Sequence, residues 1–478
     1  MRSLGRINKE VLKLALPSIL ANITIPLVGM VDLAVAGHLD STEIWTVAQM
    51  IGGIAIGSML FDLLYWNFTF LRVGTGGLVA QAYGRVISSY PTNVRRGFIP
   101  LDYHERGSLN ECGKILIRAI GVAVVIGLVL FMIQGIFLKG AFMVVNCTPE
   151  VKELASAYFL CRIWAAPATL TMMALKGWFI GMQDSVSPMI VDILVNVVNT
   201  VVSILLAMKI GFIGIAVGTV VAQYSGFVCG LVIVALKYFK PVFGGFASQD
   251  LLHAFEGKET RKFFVMNSDL FVRSLCFIAV YIGYTTISAR YGDLLLSSST
   301  IMMKLLMIFS YFIDGFAYAG EAMAGKYIGA QNKRLLQSTV KYNFLWSLGV
   351  AAVFVGVYAF GGPALLKVMT DDPSVLNVCR QFLPWLVMMP VAGFVAFTWD
   401  GIYIGATASK TIRNSMIWSV AAFYLVFLVG VKIFEGPDVA IHVLLAAYFA
   451  HLLARSIHLT VKNKRIVFTD PFVSDSKE

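Results

Sequence analysis

Long apolar runs separated by short polar stretches dominate this chain. A first set covers positions 11–38, 44–71, 115–145, 154–181, 188–208 and 213–236, and a second set covers 263–289, 294–325, 344–360, 383–405, 416–431 and 439–459. Roughly 20 apolar residues in a helix cross the ~30 Å hydrocarbon layer of a bilayer. Each run is therefore long enough for one crossing, and the pattern predicts an all-α integral membrane protein with twelve transmembrane helices. A polar stretch from Lys237 to Lys262 separates the two sets. The organisation expected is a first lobe over 1–238, a cytoplasmic linker over 239–262, and a second lobe over 263–478 ending in a basic cytoplasmic tail.

The two sets resemble each other. Helix two exits through Ala80-Gln81-Ala82-Tyr83-Gly84 and helix eight through Gly325-Lys326-Tyr327-Ile328-Gly329. Helix four ends Gly177-Trp178-Phe179-Ile180-Gly181, and helix ten ends Gly401-Ile402-Tyr403-Ile404-Gly405. The Gly84–Gly181 interval exceeds the Gly329–Gly405 interval by 21 positions, the length of a polar insertion at 86–106 that the second half lacks. Internal repeats of this kind are the usual plan of secondary transporters.

Composition agrees with the pattern: 58% of the 478 residues are hydrophobic and only 14% charged, against about 25% charged in a soluble chain. The net charge of +11 does not argue for a nucleic-acid partner, because the basic residues form short clusters between apolar runs. Arg2, Arg6, Lys9, Lys13, Arg85, Arg95, Arg96, Arg106, Lys333, Arg334, Lys341, Lys462, Lys464 and Arg465 all fall on one side if the N-terminus is cytoplasmic. Such clusters are retained on the cytoplasmic side, and an even number of spans returns the C-terminus to it. Ala34-Val35-Ala36 looks like a signal-peptidase site. The run around it is too long for a signal peptide and carries Pro17, Pro26 and Asp32, so a retained first helix is expected. Six scattered cysteines form no Cys-x-x-Cys pair. The chain has no His-Glu-x-x-His, Gly-x-Ser-x-Gly or Gly-x-x-x-x-Gly-Lys-Ser/Thr pattern, which argues against an enzyme and against nucleotide hydrolysis as the energy source.

Polar groups inside the apolar runs carry the candidate chemistry. A carboxylate near the bilayer centre costs roughly 2.5–3.5 kcal/mol on insertion scales, so Asp32 in the first run needs a partner, water or a proton. Pro26, six positions earlier, removes a backbone hydrogen bond and offers a hinge. Asp192, Asn196 and Asn199 lie on one face of helix five, and a network joining them to Asp32 is one reading, polar glue between helices the other. Asp269, Asp314, Glu321 and Asp400 are the acids of the second set. Arg72 and Lys176 read as helix-end residues whose charges snorkel or cap. Met302, Met303 and Phe309 of helix eight suit either a wall accepting varied organic cations or simple packing.

These residues also resemble a known family. Leu16-Pro17-Ser18-Ile19-Leu20-Ala21-Asn22, followed by Gly29-Met30-Val31-Asp32-Leu33-Ala34-Val35-Ala36-Gly37-His38-Leu39, is similar to the opening helix of multidrug and toxic compound extrusion (MATE) transporters. Phe70 to Gly84 resembles their second-helix signature, with wording nearest the branch named after the DNA-damage-inducible F protein. Gly181-Met182-Gln183-Asp184-Ser185 is similar to that branch's Gly-x-Gln-Asp turn. The resemblance spans essentially the whole chain. It implies two six-helix repeat lobes forming a V-shaped central cleft, and exchange of protons or sodium for organic, often cationic, compounds by alternating access.

In proton-coupled members an aspartate of helix one binds the proton, and Asp32 matches it. Some relatives place a second aspartate where this chain has Ser203, with Asp192, on the other side of Asn199, as a candidate substitute. In sodium-coupled members acids of helices seven and ten help hold the cation, and Asp269 and Asp400 fall there. Asp400 also precedes Gly401 as Lys176 precedes Gly177, so structural pairing near a helix end is the other and favoured reading. The expectation is a cation-coupled antiporter with the proton favoured, needing no cofactor beyond H+ or Na+. It would act as a monomer in the plasma or inner membrane on small organic substrates, without nucleic acid. A lipid-linked precursor flippase of the same superfamily is the alternative, and an ion channel a more distant one.

Overall fold

The computed structural model describes residues 2–39, 45–89, 109–145, 147–244, 246, 250, 254–434 and 437–473. All regular elements among them are helical. In the first half these are α1 (Arg2–Gly37), α2 (Val47–Trp66), α3 (Phe70–Ser89), α4 (Asn110–Val144), α5 (Pro149–Arg162), α6 (Ala166–Gly181), α7 (Val186–Ile210) and α8 (Phe212–Ile233). A π-helical stretch, Val234–Phe243, prolongs α8. The second half has α9 (Gly257–Ala289), α10 (Asp293–Gly329), α11 (Lys333–Met369), α12 (Pro373–Gly405), α13 (Ser409–Ile433), α14 (Pro437–Ile466) and the short α15 (Asp470–Val473).

Twelve spans among the described residues are long and apolar enough to cross a membrane. The sixth includes the π-helical stretch and the twelfth runs on into α15, and two others, the second and the fourth, are interrupted within the crossing. The second breaks at the turn Asn67–Thr69 between α2 and α3, and the fourth passes through a single 3₁₀ turn, Ile163–Ala165, between α5 and α6. Hydropathy alone shows each as one continuous run, because it does not register where a hydrogen-bond ladder is interrupted. Of the insertion 86–106, residues 86–89 continue α3, and the remainder lies outside the described residues.

The chain divides into two compact units, Leu20–Phe263 and Met1–Ile19 with Phe264–Glu478. The boundary near the N-terminus falls inside α1, between Pro17 and Pro26, so the first turns of α1 pack with the second half. There Trp346 Nε1 donates to Asn8 Oδ1 at 2.6 Å, and Tyr327 Oη donates to Glu10 Oε2 at 3.2 Å. The stretch 239–262 is docked in its described part. Lys114 pairs with Asp250 at 2.8 Å, Arg118 Nε donates to the Ala254 carbonyl, and Gly113 of α4 faces Val242, Phe243 and Phe246.

Glycine seams bring the helices close. Gly214, Gly218, Ala222, Gly226 and Gly230 recur every fourth residue along α8, and Gly214 and Gly218 lie directly against the backbone of α7. Small residues at this spacing let membrane helices approach without a side chain between them. Gly177 and Gly181 of α6 lie against Arg72 and Gly76 of α3, while Gly401 and Gly405 of α12 lie against Ala317 and Glu321 of α10. The sequence repeat thus marks one packing solution used twice.

The helix ends repeat as well. Gln183, Gln331 and Thr407 adopt positive φ values of 65°, 51° and 53°. Around each, the next amide reaches back to the carbonyl five residues earlier: Asp184 to Phe179, Asn332 to Tyr327 and Ala408 to Tyr403. This left-handed stop closes α6, α10 and α12 alike.

Candidate functional site

The first unit holds a buried polar cluster around Asp32, whose side chain is fully inaccessible. Three helices supply its partners. Tyr158 Oη of α5 donates to Asp32 Oδ2 at 2.7 Å, Thr219 Oγ1 of α8 reaches the same oxygen at 3.0 Å, and Asn199 Nδ2 of α7 lies 3.3 Å from Oδ1. Asn199 Nδ2 also lies 3.0 Å from Thr219 Oγ1 and 3.2 Å from Ser203 Oγ. Behind Tyr158 stands Arg162, one turn along α5. Its Nη1 donates to Tyr158 Oη at 3.1 Å, and its guanidinium lies 4.9 Å from the centre of the Phe61 ring.

The glycine seams explain how these groups meet. Gly218 lets α8 press onto Ser203 of α7, which brings Thr219 and Asn199 to the same depth. Gly53 and Gly57 of α2 receive Leu154 and the ring of Tyr158 from α5. Hydroxyls both donate and accept. Tyr158 and Thr219 can therefore reorient to serve Asp32 as a carboxylate or as a protonated acid. The site can hold a proton and can equally exist without one.

Of the residues expected here, Asp32 and Asn199 come together, and Ser203, at the place where some relatives carry a second acid, joins them through its hydroxyl. Asp192 and Asn196 do not. Asp192 lies two helical turns from Asn199, about 10 Å along the axis, where it pairs with Lys176 of α6. Asn196 Nδ2 donates to the carbonyl of Asp192 in its own helix at 2.8 Å. A shared helix face was the correct reading, but axial distance separates the groups. Lys176, expected to snorkel or cap a helix end, is an ion-pair partner instead. The described helix α1 runs through Pro26 without a break.

In the second unit Asp269 and Asp400 do not form one cluster of free carboxylates. Arg413 Nη1 contacts Asp269 Oδ1 at 2.5 Å and Ser409 Oγ donates to its Oδ2 at 2.8 Å. Asp400 receives Arg273 and Arg455. Guanidinium groups thus already neutralise both carboxylates, Arg413 at Asp269 and Arg273 with Arg455 at Asp400 Oδ2. Met302, Met303 and Phe309 are buried in the apolar core of this unit, packed with Phe354 and Phe397. They pack here as part of the apolar core.

Sequence reasoning missed Tyr158, Thr219 and Arg162. Thr219 was within reach, since it follows Gly218 in the small-residue stripe of α8. Tyr158 and Arg162 had no comparable signal, because a tyrosine and an arginine near an outer helix end suit many surroundings.

Outside the Asp32 cluster, Asp184 caps α7. Its Oδ1 accepts from the amides of Val186 and Ser187 at 3.2 and 3.1 Å, and its Oδ2 accepts from Ser187 Oγ, Lys237 Nζ and Tyr238 Oη. Burial pushes this carboxyl upward, yet Lys237, Ser187 and Tyr238 together outweigh burial and hold it below the ordinary aspartate range.

A family profile described as MatE matches residues 106–205 and 270–431. Across 423 residues the chain is 32% identical to the DNA damage-inducible protein F of Escherichia coli (strain K12), with 88% of this chain and 85% of that protein covered. The human Multidrug and toxin extrusion protein 1 is 23% identical over 434 residues, covering 88% of this chain and 68% of that protein. Among solved structures, a MATE in the bent conformation superposes with a TM-score of 0.78 at 14% identity, covering 98% of each chain. The eukaryotic MATE transporter AtDTX14 gives 0.77 at 13% identity, again covering 98% of each. At such identities the structural likeness speaks to the fold.

Proposed function

Since the chain belongs to the MatE family of multi-pass multidrug and toxin extrusion transporters, we propose that it exports small organic compounds in exchange for protons, with Asp32 as the group that carries the proton. The single observation behind this reading is the setting of Asp32: a fully buried carboxyl met by two hydroxyls and an amide from three different helices. A change in its charge state is felt directly by α5, α7 and α8. Loading and unloading it therefore biases how four helices pack, which is the physical requirement for coupling a proton to alternating access.

Protons are favoured over sodium because Asp269 and Asp400 are matched by arginines, and the oxygen ligands around Asp32 include only one carboxylate. Placement in a plasma or inner membrane with both termini cytoplasmic draws its support from the basic clusters between spans. The test is dye efflux from vesicles with pH and sodium gradients imposed separately. Asp32→Asn is expected to abolish efflux driven by the pH gradient, and a sodium gradient alone to drive none in the wild type. Equal pH-driven efflux by variant and wild type would remove Asp32 from the coupling step.

A further inference from the structure

The second unit contains a charge cluster that proton coupling does not use. Asp400 of α12 is approached by Arg273 Nη2 of α9 at 2.5 Å and by Arg455 Nη2 of α14, and both reach the same oxygen, Oδ2. One turn before Arg273, Asp269 is already taken by Arg413 and Ser409. Three guanidiniums therefore face two carboxylates within spans that cross the bilayer. Buried guanidinium donors are ordinarily all met by acceptors.

The unused valences lie at the same place. Arg273 Nε, Arg455 Nε, Asp400 Oδ1 and His451 Nδ1 are buried without hydrogen-bond partners. An ion pair serving only as a brace would normally align fork against fork, with two parallel hydrogen bonds per arginine. Here both arginines crowd one oxygen and keep donors in reserve. Arg455 is almost wholly enclosed, while the side chain of Arg273 retains 22% exposure, so the approach lies on the α9 side. Aromatic surface adjoins the charge: the Phe397 ring centre is 5.7 Å from the Arg455 guanidinium, and Tyr448 stacks on His451 at 5.9 Å.

We propose that Arg273 and Arg455 form a binding site for the anionic headgroup of an amphiphilic organic compound, a carboxylate, sulfonate or phosphate, whose apolar part lies along the aromatic side. Asp400 positions the two guanidiniums and competes with the incoming anion for them. The reading as an exporter bears on what the site is for, while the binding stands apart from it. Two sources share this chemistry, a soluble organic anion and the headgroup of an anionic lipid.

The test uses the full chain in nanodiscs of phosphatidylcholine, without any ion gradient. The probe is dansylaminoundecanoic acid, compared with its methyl ester. Wild type is expected to bind the acid about tenfold more tightly than the ester, the scale of a charge-assisted hydrogen-bond pair. Arg273→Gln should erase that preference, Arg273→Lys should retain part of it, and Asp400→Asn should bind the acid more tightly than wild type. Competition by added phosphatidylglycerol assigns the lipid headgroup as the source, and its absence assigns the soluble anion. Equal binding of acid and ester by wild type overturns the proposal, as does an acid preference that survives Arg273→Gln. Because no gradient is present, a failed Asp32→Asn efflux test leaves this result untouched, and equal binding of acid and ester leaves the efflux reading untouched.

Discussion

Tyr158 is the residue through which the charges of the first unit communicate, since its hydroxyl touches both Asp32 and Arg162. Groups that act as one network give non-additive effects when removed together. Tyr158→Phe is expected to cut pH-driven efflux severalfold, and Tyr158→Phe combined with Asp32→Asn to be no worse than Asp32→Asn alone. Additive losses in a double-mutant cycle would show that Tyr158 acts apart from the coupling acid. Asp184 makes a different residue-scale prediction. Its folded carboxyl sits below the ordinary aspartate value of about 3.9, so it favours the folded state above that value and loses the contribution as pH falls through its folded titration. Asp184→Asn should lower stability at pH 7 by about 1–3 kcal/mol, and the gap should close below about pH 4. Thermal unfolding in detergent at both pH values reads this directly.

At the scale of elements, the seam between α7 and α8 decides whether the site exists. A side chain at Gly218 has nowhere to go, because the backbone of Ser203 occupies the space. Forcing extra atoms into a packed contact typically costs about 1–3 kcal/mol, and here it would also carry Thr219 away from Asp32. Gly218→Leu should therefore lose both thermal stability and efflux. Gly135→Ala in α4, where nothing lies within 4 Å of the added carbon, should keep both. The broken spans α2–α3 and α5–α6 belong to this scale too. From α5 Tyr158 reaches Asp32 of α1, while Arg162 contacts Tyr158 and, on α2, Ser58 and Phe61.

For the molecule as a whole, twelve spans require both termini to emerge on one side. With the six native cysteines replaced, Ser3→Cys and Ser476→Cys should react with an impermeant maleimide from the same face of sealed vesicles. Labelling from opposite faces would break the twelve-span topology. The two polar clusters differ in charge: that of the first unit has an acid among neutral hydroxyls and an amide, with one guanidinium behind, whereas that of the second sets Arg273, Arg413 and Arg455 against Asp269 and Asp400. None of this asymmetry was visible from counting acids along the chain. Asp269 and Asp400 read either as cation ligands or as structural pairs, because their arginine partners, Arg413 for Asp269 and Arg273 with Arg455 for Asp400, lie 55 to 144 positions away in the sequence and belong to other helices.

The amino-acid sequence by itself determined the membrane setting, the number of crossings and the repeat, and it singled out Asp32 as a buried acid. Each follows from local chemistry, since apolar run length, recurring Gly-x-x-x-Gly spacing and a lone carboxyl in an apolar helix carry their cost wherever the chain goes. Tertiary structure alone decided which polar groups share a site. Tyr158, Thr219 and Asn199 are separated by tens of residues and meet at Asp32 only because glycine seams set the depth and rotation of four helices. Asp192, on the expected face, falls two turns short and finds Lys176 instead. Partner choice inside a bundle depends on relative helix position to within an ångström or two, and no pattern along one helix contains that distance.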